Sequence, residues 1–222
     1  TIVIKAIILY YKITHKIKNK MIFLLNEISK KNQLIIASEV YSIIKNSPMF
    51  RPRFPKFNNP FKILITNAGQ WGWISDIDGY RYTDKHPQTK KNWPAIPNNL
   101  ILMWKKYSKC KYLPNSCLIN LYTYPDSKLG VHQDKDENNF SFPVLSISLG
   151  SSATFKYGKQ KKKLDKICLV SGSIVIMKDQ SRLDFHGVSK IFKTENNILE
   201  KSKLSYLPLN SRINITMRIY EP

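Results

Sequence analysis

A chain of 222 residues, 42% hydrophobic and 23% charged, reads as one soluble domain able to bury its own core, which excludes a fibre or a disordered chain. Thirty-six Lys and Arg against 15 Asp and Glu leave a net charge of +21, which disfavours a cationic ligand and favours a polyanion such as nucleic acid. A/T-rich codon usage, seen in the abundance of Lys, Ile and Asn, is an equally good source of that excess.

The opening TIVIKAIILYYKI is the most apolar stretch, but Lys5 interrupts it and no small-residue cleavage site follows. It is read as neither a membrane span nor a signal peptide. Met21 stands as an alternative start. From about Asn19 to Ile44, apolar residues at three- and four-residue intervals (Ile22, Leu25, Ile28, then Val40, Ile43, Ile44) predict two helices broken near Lys31–Gln33. Residues 48–100 hold most of the prolines and three of the four tryptophans. Prolines at this density predict short strands and turns presenting an aromatic surface.

From Cys117 the hydrophobic period becomes two. Leu118–Tyr124, Val144–Leu149, Ala153–Tyr157, Ile174–Met177, Arg182–Val188 and Arg212–Tyr220 are predicted strands, separated by turns at Pro125–Ser127, Leu149–Ser151, Ser171–Ser173 and Asn210–Ser211. Such spacing predicts an all-β sandwich or barrel for the second half. Three cysteines, Cys110, Cys117 and Cys168, allow no self-contained disulfide framework and have no Cys-x-x-Cys spacing, so a reducing, cytoplasmic setting is expected.

Two constellations carry chemistry. In His132-Gln133-Asp134 an extended backbone places imidazole and carboxylate on one face. With His186, from a distant predicted strand end, they make the two-His-one-carboxylate set of non-haem Fe(II) oxygenases; without it, a solvated turn is the plainer reading. In Arg212–Ile219 the polar residues Arg212, Asn214, Thr216 and Arg218 alternate with Ile213, Ile215, Met217 and Ile219. Two guanidinium forks on one face, in a chain that mostly uses Lys, suit a dicarboxylate, and Asn120 and Tyr122 on another predicted strand add polar contacts.

These motifs together, CLINLYTYPDSKLGVHQDKDE, SISLGSSATFKYG, SRLDFHGV and SRINITMR, with TNAGQWGW and TDKHPQTKKNWPAIP ahead of them, resemble the AlkB family of Fe(II)- and 2-oxoglutarate-dependent dioxygenases, of the bacterial type, over roughly residues 47–218. The resemblance implies a mainly β fold with flanking α: a double-stranded β-helix (jelly roll) core with N-terminal helices and an aromatic nucleotide-recognition lid. As one domain it would comprise a helical support (1–46), a substrate lid (47–110) and a catalytic core (111–222). It implies Fe(II) on His132, Asp134 and His186. For 2-oxoglutarate it implies Arg212 on the distal carboxylate, aided by Asn120 and Tyr122, and Arg218 near the chelating carboxylate, with Asn214 and Thr216 lining the pocket.

For the substrate, the resemblance places Trp73 stacked on a flipped base opposite His186. Tyr80 and Tyr82 would lie on the nucleotide backbone and Asp136 on the exocyclic amine. Lys162 stands where this type often has Arg, and Trp71 is an extra aromatic beside Trp73. The implied activity is oxidative dealkylation of 1-methyladenine- and 3-methylcytosine-type bases, releasing succinate, carbon dioxide and formaldehyde. The implied partner is single- or double-stranded DNA, with RNA as a second candidate, for a monomer without a membrane association. The competing readings are a small-molecule hydroxylase with the same core, an RNA-directed demethylase of the family, and a silent nucleic-acid-binding module.

Overall fold

The computed structural model describes residues 21–222; the reading of the opening apolar stretch lies outside the described residues. In chain order the strands are β1 (Ile22–Leu24), β2 (Leu64–Gly69), β3 (Gly72–Asp76), β4 (Gly79–Thr83), β5 (Ser116–Tyr122), β6 (Leu129–His132), β7 (Val144–Gly150), β8 (Ala153–Gln160), β9 (Lys163–Leu169), β10 (Ile174–Met177), β11 (Phe185–Ile191) and β12 (Arg212–Arg218). Helix α1 spans Lys30–Asn46 and α2 spans Asn98–Ser108.

Six strands form a large antiparallel sheet in the order β1-β10-β7-β12-β5-β2, and four form a smaller one in the order β6-β11-β8-β9. Between the two sheets lies one hydrophobic core, with Leu118, Tyr122, Val144, Val175 and Met177 from the large sheet meeting Phe155, Leu169 and Val188 from the small one. The opposite face of the large sheet packs Ile119, Leu121, Ile147, Ile213 and Ile215 against Ile36, Val40 and Ile43 of α1 and Leu100 and Trp104 of α2. The central strands are thus covered on both sides, which is why every residue of β5 is buried. This is the jelly roll with helices outside it that the sequence leads one to expect.

Gly150 marks the passage from the large sheet to the small one. Its φ of +87° suits glycine, and a Cβ there would meet the Ser211 carbonyl oxygen at 2.5 Å.

Three expectations are corrected. The segment read as two helices is one strand and one helix. Ile22–Leu24 pairs with β10 as an edge strand, a long-range pairing that no local period reveals. The polar Lys31–Gln33 stretch is the first turn of α1, with Ser29 as its cap accepting from the Asn32 amide at 3.4 Å and Gln33 buried, its amide donating to the Ile28 carbonyl at 2.7 Å. Within residues 47–110, β2 belongs to the large sheet, and Leu100 and Trp104 of α2 belong to the main core. The short strands expected of the proline-rich segment are β2, β3 and β4, and its last proline, Pro97, precedes the first residue of α2. Finally, β11 begins at Phe185 and not at Arg182, because Arg182 is held away from the ladder by bonds to the Phe142 and Asp134 carbonyls.

Candidate metal centre and co-substrate pocket

Strand pairing assembles the site. In the small sheet His186 of β11 lies directly opposite His132 of β6, and Asp134 follows two residues beyond β6, so the three converge despite their distance in sequence. His132 Nε2 lies 3.5 Å from Asp134 Oδ1, and His186 Nε2 lies 3.8 Å from Asp134 Oδ2. One donor atom from each residue fits within 4.8 Å of the others. His132 Nδ1 is 2.8 Å from the Gly130 carbonyl and His186 Nδ1 is 3.0 Å from the Asp184 carbonyl. A carbonyl only accepts, so each Nδ1 carries the proton and each Nε2 lone pair faces the carboxylate, the arrangement that metal-binding histidines adopt. Two neutral imidazoles and a carboxylate on one side of a point suit Fe(II) with open positions.

At Asp134 and His186 the electrostatics agree with this donor set. Burial acts to raise the Asp134 pKa, but Arg218 and the two histidines outweigh it and hold the carboxyl well below its usual range. Burial pushes His186 down to about 4, with the Asp134 carboxylate opposing it, so the imidazole is neutral at physiological pH. At His132 burial also lowers the pKa, yet Asp134 and the Gly130 carbonyl reverse the direction and raise it.

Behind the triad lies a cavity of about 60 Å³ lined by Asn120, Tyr122, Arg212, Asn214, Thr216 and Arg218, among others. Register explains the convergence: Arg212 pairs with Tyr122 and Asn214 with Asn120 on β5, while on the other side Asn214 pairs with Ser148 and Thr216 with Ser146 on β7. The polar face of β12 therefore does not face water. It turns inward, and Arg212 is 1% exposed.

Arg212 donates to Ser148 Oγ at 2.6 Å and to the Ser151 carbonyl at 3.1 Å, its Nε has no partner, and among the described residues no carboxylate pairs with it. Burial lowers its pKa to about 10, against the weaker opposing influence of Tyr122 and Cys168. A buried guanidinium without an anion is costly, and a carboxylate entering the cavity would supply the missing partner. This orphaned cation is the feature that fits 2-oxoglutarate. Asn214, by contrast, is committed within the protein: its amide donates to Ser146 Oγ at 2.6 Å and its oxygen accepts from Thr216 at 3.0 Å.

Arg218 bridges the pocket and the metal centre. Its Nη2 donates to Asp134 Oδ2 at 3.0 Å, and its Nη1 donates to Glu137 Oε1 at 2.8 Å and to the Tyr82 hydroxyl at 3.1 Å. Glu137 also pairs with Arg182 at 3.2 Å, and Arg182 donates to the Asp134 backbone carbonyl at 2.7 Å. Asp134 is thus held at its side chain by one guanidinium and at its main chain by another, with Glu137 between them. Neither Glu137 nor Arg182 is among the sequence candidates. Arg182 could have been found by the scarcity argument that singles out Arg212 and Arg218, because the chain has only six arginines; Glu137 sits in the polar run HQDKDENN with nothing to separate it from its neighbours.

Burial acts to raise the Glu137 pKa, but Arg218, then Arg182 and the Tyr82 hydroxyl, hold it below its ordinary value of 4.5. A depressed folded-state value stabilises the fold above about pH 4.5, and that contribution is lost as pH falls through the folded value. Replacing Glu137 with Leu leaves two buried guanidiniums short of a partner and should cost about 3–5 kcal/mol at neutral pH. Urea unfolding of chelator-treated protein is expected to show this deficit at pH 7 and a smaller one at pH 3.5; a pH-independent deficit would assign the effect to packing.

A second, outer cavity of about 420 Å³ opens on the metal side, lined by Trp73, Tyr80, Phe54, Phe61, His132, Asp136 and Lys161, among others. Trp73 stacks on Tyr80 with ring centroids 5.8 Å apart, and its indole N–H donates to Asp136 Oδ2 at 2.7 Å. Three substrate-side expectations are placed differently. His132, not His186, shares this cavity with Trp73, because His186 is buried behind it and lines the inner pocket. Tyr82 does not line it: the ring is buried against Tyr220 with centroids 4.1 Å apart, and its hydroxyl donates to Glu137 at 2.7 Å. Lys161 lines the cavity rather than Lys162, since the β8–β9 turn points the first of the two toward the site. Trp71 packs edge-on against Tyr220, away from the cavity lining.

The sequence matches the model of the 2OG-Fe(II) oxygenase superfamily over residues 20–218. It is 38% identical over 164 residues to an alpha-ketoglutarate-dependent dioxygenase AlkB homolog of Caulobacter vibrioides, covering 73% of this chain and 70% of that one. It is 32% identical over 186 residues to the AlkB dioxygenase of Escherichia coli K12, covering 81% of each. The solved structure of OsALKBH1 superposes with a TM-score of 0.73 at 28% identity, over 92% of this chain and 98% of that one. With the histidine–carboxylate triad, the anion-seeking arginine and the jelly roll in one chain, the protein belongs to the 2OG-Fe(II) oxygenase superfamily as an AlkB-type dioxygenase that uses Fe(II) and 2-oxoglutarate.

Proposed function

We propose that this dioxygenase removes N-alkyl groups of the 1-methyladenine and 3-methylcytosine type from bases in DNA, with RNA as the alternative substrate. The observation that carries the reading is the outer cavity: about 420 Å³, inside the roughly 300–1,000 Å³ range of small-molecule sites, with an aromatic platform beside His132 and a carboxylate at its edge. The name of one relative supports a nucleic-acid substrate, a DNA N(6)-methyladenine demethylase of Arabidopsis thaliana, 39% identical over 49% of this chain and 24% of its own. A single domain acting as a cytoplasmic monomer completes the proposal.

In this reading His132, Asp134 and His186 hold Fe(II), and Arg212, with Asn120 and Tyr122, holds the distal carboxylate of 2-oxoglutarate. With Fe(II), 2-oxoglutarate and dioxygen bound, the site would supply the oxidising chemistry that hydroxylates an N-methyl carbon, with succinate and carbon dioxide as co-products, and the hydroxymethyl adduct would split into formaldehyde and the unmethylated N–H base. The chain's own task is placement. Thr216 and Asn214 order the pocket wall, while Arg218 and Arg182 keep Asp134 in one orientation. The target atom lies on the pairing edge of a base, so the base must leave its stack, and Trp73 would receive it. Asp136 fixes the Trp73 indole with one oxygen and offers the other to an exocyclic amine. Tyr80 and Lys161 or Lys162 would meet the flanking backbone.

The test is anaerobic reconstitution with Fe(II), followed by 2-oxoglutarate, oxygen and a methylated oligonucleotide. Formaldehyde and restored base should appear together, and succinate output indifferent to every oligonucleotide would sink the reading. Trp73→Ala should raise KM for the methylated oligonucleotide by roughly 5- to 150-fold, the equivalent of about 1–3 kcal/mol of stacking. An unchanged KM would remove Trp73 from the platform. Because Asp136 also anchors Trp73, comparable turnover of Asp136→Ala on cationic and neutral lesions would confine its role to that anchoring.

A further inference from the structure

The β8–β9 hairpin carries a charge pattern that the proposed site uses only at the turn, through Lys161 or Lys162. Between Ala153 and Leu169 stand six lysines (Lys156, Lys159, Lys161, Lys162, Lys163 and Lys166) and one acid, Asp165. Side chains alternate across the strands: Phe155 and Leu169 point into the core, so Thr154, Lys156, Lys166 and Cys168 stand on the outer face of the small sheet. Register then sets Lys156 directly opposite Lys166, and Lys190 of β11 beside Thr154 in the next row. Like charges facing each other across a strand pair destabilise a sheet, with Cβ atoms about 5 Å apart. Among the described residues, none of these lysines pairs with a carboxylate. Among the described residues both α-helices pack on the large sheet, and Lys166, Cys168 and Lys190 are exposed. The turn of the hairpin reaches the outer cavity through Lys161.

We propose that the outer face of the small sheet, Lys156, Lys166 and Lys190, is a track for the phosphodiester backbone of the substrate strand beyond the flipped nucleotide. The inference rests on the nucleic-acid reading above and extends it from the cavity to a surface. From the hairpin turn, the β9 run from Lys163 to Lys166 extends about 10 Å at roughly 3.3 Å per residue. At roughly 3.4 Å of axis per nucleotide on one strand, that corresponds to about three nucleotides leading away from the lesion. Lysines on such a track act as point charges, so the contact reads no sequence and is screened by salt.

The experiment compares three metal-loaded proteins: the wild type, the triple variant Lys156→Gln/Lys166→Gln/Lys190→Gln, and a charge-matched control Lys30→Gln/Lys31→Gln/Lys45→Gln on α1, which packs on the large sheet. Affinity is measured for a methylated trinucleotide and for a chain extended to about 13 nucleotides, across a fourfold range of salt. The wild type and control should gain affinity with length. The triple variant should lose most of that gain, with a log–log salt slope shallower by about 2, roughly 16-fold over this salt range. Its Tm should be unchanged or higher, because the Lys156–Lys166 repulsion is relieved. An equal length gain in the triple variant, or an equal loss in the control, overturns the track while leaving the demethylase reading intact. No binding and no turnover of any oligonucleotide by the wild type would instead overturn the nucleic-acid reading itself.

Discussion

Replacing His186 with Ala should abolish Fe(II)-dependent succinate formation, a loss of at least about a thousandfold in turnover, because two ligands cannot hold an open octahedral site. The position of His186 makes this the cleaner of the two histidine experiments. His132 lines both cavities, so removing it alters the wall of the proposed base pocket as well as the metal site. His186 is buried behind that wall, and its Nδ1–H is anchored to the Asp184 carbonyl, so its loss falls on the metal side. Oligonucleotide affinity, measured by fluorescence anisotropy on the metal-free protein, is expected to stay within about twofold of wild type. Metal affinity, followed by titration of the chelated protein, should fall in parallel with turnover. Retained turnover in His186→Ala would show that the metal is held elsewhere.

Substituting Arg212 with Met should weaken 2-oxoglutarate binding by about 10² to 10⁴, since two charge-assisted bonds of about 1.5–3 kcal/mol each are lost. The same change should not destabilise the ligand-free protein and is expected to raise its Tm. Among the described residues Arg212 has no carboxylate partner for its buried guanidinium, and an apolar chain of similar length removes the cost of burying that cation. Opposite signs for binding and stability would identify Arg212 as a residue kept for its ligand. A fall in Tm with unchanged co-substrate KM would instead make it a structural bond to Ser148 and Ser151. Arg212→Lys should recover little of the affinity, because an ammonium on a flexible stem cannot form the two parallel bonds of a guanidinium.

Local sequence carried more of this protein than its composition suggested. The alternation of Arg212–Ile219 put four polar side chains on one face before any partner was known, and those same residues line the inner cavity. His-x-Asp on an extended chain placed two of the three ligands together, because a period of two is a property of the strand itself. The predicted strands from Leu118 onward were found close to their expected bounds, while the short β6 and the lysine-rich β9 were missed because neither shows a clean apolar alternation.

What one strand does is written in its own residues, but what it faces depends on its neighbours. The polar face of β12 reads equally well as solvent-exposed or as interior; its burial follows from β5 and β7 on either side and a second sheet beneath. Tyr82 and Tyr80 sit two residues apart on one strand, yet one is buried on Glu137 and the other lies at the cavity. Glu137 and Arg182 acquire their roles only when the chain returns to bring Arg218 between Glu137 and the Asp134 carboxylate, with Arg182 on the Asp134 main chain. The net charge of +21 follows the same division. The sequence determined its sign and size, and with them the attraction for a polyanion. Only the tertiary structure decided which cations are enclosed, as Arg212 and Arg218 are, and which stand in rows on an open sheet, because charge is additive along a chain whereas exposure is set by what packs against it.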